Sequence, residues 1–378
     1  MTTHSGYKFP ILDSSGNPTS TVVDMADMFV SKDIFLMSGL WQIMPSSPIQ
    51  IGALTNWKQI ACGDTTGIHA IKTDGTLWGW LGTTAGDLGN GTKVYYSSPI
   101  QIGSLTNWKQ ISRADNAVSA VKTDGTLWTW GYNAYGQLGN GNIVSYSSPI
   151  QVGTLTNWKQ VASGTAVTSA IKTDGTLWTW GWGAYSQLGN GTLNIDYSSP
   201  IQVGLLTDWK YVSVGLDTIH AIKTDGTLWA WGYQGTGGLG VMVSAALGYS
   251  SPVQVGSLTN WKQVADTKIE GILAVKTDGT LWAWGRNYKG LLGLSNLVSY
   301  SSPVQVGSLT NWKQVAPGYG AFMAVKTDGT LWTCGYNVPN YSNISYSSPI
   351  QVGALTWWKQ VASYNGGSFV IGSSDLPT

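Results

Sequence analysis

Few side chains in this sequence could do chemistry, and their spacing argues against most of it. There are three histidines (His4, His69, His220) and two cysteines (Cys62, Cys334) in 378 residues. His69 and His220 occupy the same place in a repeated phrase, just before Ala-Ile-Lys-Thr-Asp-Gly, where sister copies carry Ser119, Ser169, Leu273 and Met323. A position that accepts Leu or Met is a packing position, and the two histidines lie three copies apart, too far for one metal. Cys334 stands where other copies have Trp, as a small buried hydrophobe would, and two lone cysteines make no disulfide framework. Six Asp-Gly pairs (from Asp74 to Asp328) offer one carboxylate each, whereas a calcium loop needs several oxygens within a dozen residues. Gly89-Asn90-Gly91 and its copies at 139–141 and 189–191 lack the Lys-Ser/Thr of a phosphate loop and read as turns. The sequence therefore predicts no enzyme, no metal and no cofactor.

Binding chemistry is better represented. Two segments vary between copies that are otherwise nearly identical. One follows Trp-Lys-Gln and carries Asp64, Arg113, Asp115, Asp217, Lys268, Glu270 and Tyr319. The other follows Leu-Trp-x-Trp and carries Trp182, Tyr185 and Arg286. Aromatic groups and amides on loops offer rigid area and hydrogen bonds, so these residues are the candidate ligand-face set.

The elements that position them are repeats. Ser-Ser-Pro-Ile/Val-Gln-Ile/Val-Gly recurs with its proline at 48, 99, 149, 200, 252, 303 and 349, a period of 46 to 52 residues. Each period reads as four short strands, for example Trp158–Ala162, Ser169–Thr173, Thr176–Gly181 and Pro200–Val203. Asp174-Gly175 predicts a type I′ hairpin with positive φ at both residues. Sizeable side chains alternate on both faces of Leu177-Trp178-Thr179-Trp180, with both tryptophans on one face and both in the core. Such a sheet must be covered twice, which radial stacking of copies achieves.

Seven Trp-Lys strands but six Asp-Gly-Thr-Leu-Trp strands leave the last copy incomplete. Gly39-Leu40-Trp41 near the start supplies the missing strand. The expected fold is all-β: a seven-bladed β-propeller of four-stranded blades, its last blade closed by strands from both termini. It occupies residues 38–378 behind a short N-terminal arm at 1–37. The arm holds Tyr7, Phe9, Ile11, Leu12, Met25, Met28 and Phe29, apolar groups that no blade requires, and a short helix is expected over 22–29. It is a candidate partner-docking segment.

Charge excludes further classes. Lys, Arg, Asp and Glu make up 10% of the chain, against roughly 25% in ordinary domains. Thirteen of the 20 basic residues belong to the repeat phrases, leaving seven against thirteen acidic ones outside the turns. Nucleic-acid binding, which needs a basic stripe, is not expected. Neither a secretory signal nor a membrane-spanning apolar run is present, so no membrane insertion is expected.

The order Trp-Lys-Gln-Val-Ala, Ala-Ile-Lys-Thr-Asp-Gly-Thr-Leu-Trp-Thr-Trp-Gly, then Tyr-Gly-Gln-Leu-Gly-Asn-Gly at 135–141 resembles the Regulator of Chromosome Condensation repeat family. That resemblance implies a seven-bladed propeller closed by strands of both termini. Later copies depart, with fragments at 238–240 and 292–293 and the phrase lost at 341–343. Long Ser-Ser-Pro repeats of this form are also similar to those of marine bacteria and their tailed phages. This second likeness implies a non-enzymatic virion component of decoration, fibre or adhesin type. Its arm would bind other virion proteins and its propeller a host-surface glycan or protein, with the virion as its location. The alternatives are a bacterial surface lectin-like or protein-interaction propeller, at the cell surface or in the cytoplasm, and a small-GTPase exchange factor with chromatin binding.

Overall fold

The computed structural model describes residues 8–12, 18–24, 34–36, 49–50, 56–63, 67–82, 85–233, 235, 237–241, 248–267, 271–318, 320–336, 345–364 and 367–372. Antiparallel four-stranded sheets are arranged around a channel. In the blade opened by Trp158 the strands are Trp158–Ser163, Val167–Lys172, Leu177–Gly181 and Tyr197–Gln202, innermost to outermost. The register runs Val161, Ala170, Trp178, Gln202 across them.

The expectation of a seven-bladed propeller closed through residues 39–41, behind a short N-terminal arm, is corrected at the chain ends. Six blades are four-stranded units of continuous chain, opened by Trp57, Trp108, Trp158, Trp209, Trp261 and Trp312. A composite sheet pairs Trp358–Tyr364 and Gly367–Gly372 with Ile34–Leu36, and that strand with Ile49–Gln50. The closing strand is thus Ile34–Leu36, while residues 39–41 lie outside the described residues. The remaining sheet has only two strands, Lys8–Leu12 and Pro18–Asp24, which pair with each other. Val22–Asp24 are therefore strand where a helix is expected. The β-branched residues Thr19, Thr21, Val22 and Val23 explain it, because such side chains suit a pleated surface better than a helix. Phe9, Ile11 and Leu12 lie on this hairpin, whereas Tyr7, Met25, Met28 and Phe29 fall outside the described residues.

The Asp-Gly turns also differ from expectation. Gly75 has φ 81° and its N–H donates to the Lys72 carbonyl, but Asp74 is not in the left-handed region. This is a type I turn followed by a left-handed glycine, the bulged hairpin. Asp74 instead uses its carboxylate, which accepts from the Thr76 N–H (2.9 Å) and hydroxyl (2.7 Å), while Trp78 Nε1 donates to that hydroxyl (2.9 Å). The same relay recurs at Asp124, Asp174, Asp225, Asp278 and Asp328. The first tryptophan of each Leu-Trp-x-Trp strand is consequently half-buried, and the second is the core residue. The Lys preceding each turn lies over indoles: Lys172 Nζ is 4.9 Å from the Trp158 ring and 3.7 Å from Trp178.

Candidate binding face and buried junctions

Innermost strands turn an unpaired edge toward their neighbours, and in most blades a glutamine bonds it. Gln110 Nε2 donates to the Val161 carbonyl (2.8 Å) and its Oε1 accepts from the Val161 N–H (3.0 Å). Gln59, Gln263 and Gln314 clasp Ile111, Val315 and Val361 in the same way. An edge that would otherwise cost unsatisfied backbone groups is thereby satisfied. The Trp209 blade has Tyr211 at this place, its phenol pushed up to about 12 by burial and by Asp266. The glutamines and the small residues after them line an axial cavity of about 390 Å³.

At the channel's loop end, second-strand residues meet a residue at the end of the next innermost strand. Ser163 Oγ donates to Ser119 Oγ (3.0 Å). His69 meets Arg113, with Nδ1 3.4 Å from Nη1 and Nε2 3.1 Å from the Leu88 carbonyl. Arginine can only donate, so Nδ1 accepts and Nε2 carries the proton. Burial, and then the Arg113 guanidinium, hold His69 neutral well below the usual histidine range. Arg113 forms an ion pair with Asp87, and both side chains are fully buried. His220 has the opposite arrangement: its Nδ1 lies 2.6 Å from Asp266 Oδ1, which also accepts from the Thr218 hydroxyl (3.0 Å). Both histidines are fully buried. In the Trp108 and Trp158 blades the hydroxyls of Thr129 and Thr179 bond the Leu138 and Leu188 carbonyls. His69 does the same for Leu88 where the equivalent third-strand residue is Gly79. It is a structural substitute.

Acid should expose this arrangement. The unfolded histidine titrates near 6.5 and the folded one far lower, so the unfolded state binds more protons between those values. Stability held in full above pH 6.5 is expected to fall as pH drops below it, by up to about 1.4 kcal/mol per pH unit. Denaturant titrations of wild type and His69→Gln between pH 7 and 4.5 check this, the variant showing the flatter profile.

The second variable set forms a surface. Segments joining first to second strands and third to fourth strands leave the same end of the blades, where the Trp182 N–H bonds the Ala166 carbonyl (2.9 Å) and Tyr233 N–H that of Asp217 (2.8 Å). There Tyr135 packs on Trp182 (5.7 Å between ring centres), Trp182 on Tyr185 (5.1 Å) and Tyr185 on Tyr233 (5.6 Å). These four rings span three blades, and Tyr135 and Tyr185 remain exposed. A second cluster sets Arg286 6.0 Å from the Tyr288 ring and Lys289 Nζ 3.5 Å from that of Tyr336. Buried Asn133 holds its loop through Nδ2 bonds to the Asn142 (2.9 Å) and Val144 (3.0 Å) carbonyls, and Asn287 repeats this with Asn296 and Val298 (3.0 Å each).

The structure thus gathers Trp182 and Tyr185, sets Arg286 with the second cluster, and leaves Asp115 and Asp217 half-buried in first-to-second-strand loops. Arg113 is removed from the ligand face, since its guanidinium is wholly buried. Asp64, Lys268, Glu270 and Tyr319 lie outside the described residues. Tyr233 and Asp87 were not legible as candidates. A signal for Asp87 exists: it is an acid where Gln137 and Gln187 stand, and the next copy has one of only two arginines in the chain. No three His, Cys, Asp or Glu side chains converge on a metal-sized site among the described residues.

These features define an all-β propeller with radially stacked blades. The chain belongs to the RCC1-like domain family, whose model matches residues 41–370. It is similar to Prp20p of Saccharomyces cerevisiae, at 19% identity and a TM-score of 0.75 over 91% of this chain and 93% of that one. That structure is described with its binding properties to Gsp1p and histones. Human WBSCR16 is similar at 19% identity and a TM-score of 0.78, covering 92% of this chain and 100% of that one.

Proposed function

We propose that this chain is a non-enzymatic binding propeller that engages a protein partner through its loop end. The observation that carries the reading is the ladder Tyr135–Trp182–Tyr185–Tyr233, a run of tilted and edge-on ring contacts left partly exposed across three blades. Aromatic groups supply large contact area at small entropic cost, and such anchors dominate protein interfaces. Arg286 and Lys289 add a cationic margin.

Site-specific crosslinking tests it. A photoreactive phenylalanine replaces either Tyr185 or Leu205, the latter 91% exposed at the opposite end. Defined protein adducts are expected from position 185 alone, falling at least fivefold when Trp182→Ala and Tyr233→Ala are added without change in melting temperature. Equal yields from both ends overturn the reading.

A second reading is that the propeller is carried on a virus particle by its N-terminal segment, with other virion proteins as partners there and a host-surface glycan or protein as the target. Its support is the 8–24 hairpin, whose two strands pair only with each other among the described residues. Deletion of residues 1–30, which spares the closing strand, is then expected to abolish incorporation into particles while folding is kept; full incorporation refutes it.

A further inference from the structure

At the end opposite the variable loops, exposed residues repeat although the core does not need them. Each described link from an outer strand to the next innermost strand carries a leucine (Leu105, Leu155, Leu206, Leu258, Leu309, Leu355), and all six are 41 to 46% exposed. The loops at the other end of these same blades have diverged.

Beside two of the leucines lie equivalent cavities. One, about 330 Å³, is walled by Trp178, Val152 and Leu155 and rimmed by Asn140, Gln151 and Ser199. The other, about 290 Å³ and one blade earlier, has Trp128, Ile102 and Leu105 with Asn90 and Ser148. A third junction carries the same residue types, Trp229, Val203 and Leu206 with Asn190 and Ser251. Two blades further on, Leu294-Ser295 replaces Asn-Gly, and Ser295 Oγ bonds Ser348 Oγ (2.9 Å) across the rim.

The geometry points to these cavities as a row of subsites for neutral hexopyranose units of a polysaccharide. A half-buried indole offers a flat apolar wall to the C–H face of a sugar ring, and amides and a hydroxyl at the rim suit its hydroxyl groups. Lys172, the cation among the described lining residues, is engaged with the Trp158 and Trp178 rings, so no free charge is offered to an acidic sugar or a phosphate. The volumes lie at or just under the lower bound of the roughly 300–1,000 Å³ of small-molecule sites, room for one ring rather than a chain. Equivalent sites on successive blades match a ligand that itself repeats, because linked weak contacts gain from effective concentration.

The test uses the full chain against immobilised dextran, mannan and galactan, with alginate as the acidic control and the free monosaccharides as competitors. At least one neutral polymer is expected to bind ten times or more tighter than its monosaccharide. Leu105→Ser, Leu155→Ser and Leu206→Ser together are expected to weaken binding at least tenfold with an unchanged melting temperature. Asn140→Ala with Gln151→Ala, neither of them a core side chain, should weaken it two- to fivefold. Trp182→Ala at the loop end should leave it unaltered, which separates this site from the protein-binding face. Failure to bind any neutral polymer, preference for alginate, or indifference to the rim and leucine variants overturns the proposal.

Discussion

Replacing Arg113 with alanine is expected to destabilise the protein by about 3–5 kcal/mol, the range for breaking a buried ion pair from one side. The guanidinium and the Asp87 carboxylate have no exposed side-chain surface, so neither charge can turn to water when its partner is lost. His69 would lose the donor facing its Nδ1 as well. Gly67 packs against the guanidinium so closely that a Cβ there would overlap it, and the site is therefore built around arginine. The paired change Arg113→Met with Asp87→Leu should recover most of the loss, because a well-packed apolar pair costs little relative to a buried ion pair. Urea melts of the single and double variants check both statements. A single variant within 1 kcal/mol of wild type would show that the pair is solvated.

Trp180→Ala carries the other large effect, again about 3–5 kcal/mol, as for removal of a large buried aromatic. Trp180 is fully buried, lies 6.2 Å from Trp158 in a T-shaped contact, and donates Nε1 to the Gln137 carbonyl of the preceding blade (2.9 Å). Gly139 approaches that indole so closely that a Cβ would lie 2.5 Å from Nε1. Removing the ring therefore opens a cavity and unties two blades together. Trp178→Ala is the control: half-buried, it should cost clearly less. Equal losses in the two variants, measured by denaturant unfolding, would contradict the division between core and rim tryptophans.

Much of this architecture was legible because repetition turns one chain into several internal copies. The strand order and the hairpin at each Asp-Gly are written in the period itself, whereas the turn type and the half-buried place of the first tryptophan are not. What the period hides is exchange between neighbours. In the Trp312 blade Cys334 replaces the core tryptophan, and its cross-strand partner is Phe322. In other blades Val118, Thr168, Ile219 and Ile272 face Trp at that pair. The bulky ring has crossed to the adjacent strand and the volume is kept, which a reading of Cys334 alone as a small hydrophobe misses. Asp87 with Arg113, and His220 with Asp266, were hidden for the same reason: each partner is unremarkable until the register sets it against the next blade. The aromatic ladder was half visible, since Trp182 and Tyr185 stand out in sequence, but Tyr233 joins them only through the stacking of blades.

The pairing of Ile34 with Ile371 in the composite sheet has a consequence for biosynthesis. More than 300 residues separate the two strands, so at roughly 5–20 residues per second the first leaves the ribosome on the order of 15–70 s before its partner. Throughout that interval the blades already made present an open flank on each side of the growing arc. The last contact to form is also the one most distant in sequence, and such contacts are the slowest to form. A ribosome that pauses late in the message would therefore leave an arc whose two flanks can meet those of a neighbouring nascent chain, joining two half-made rings into one larger one.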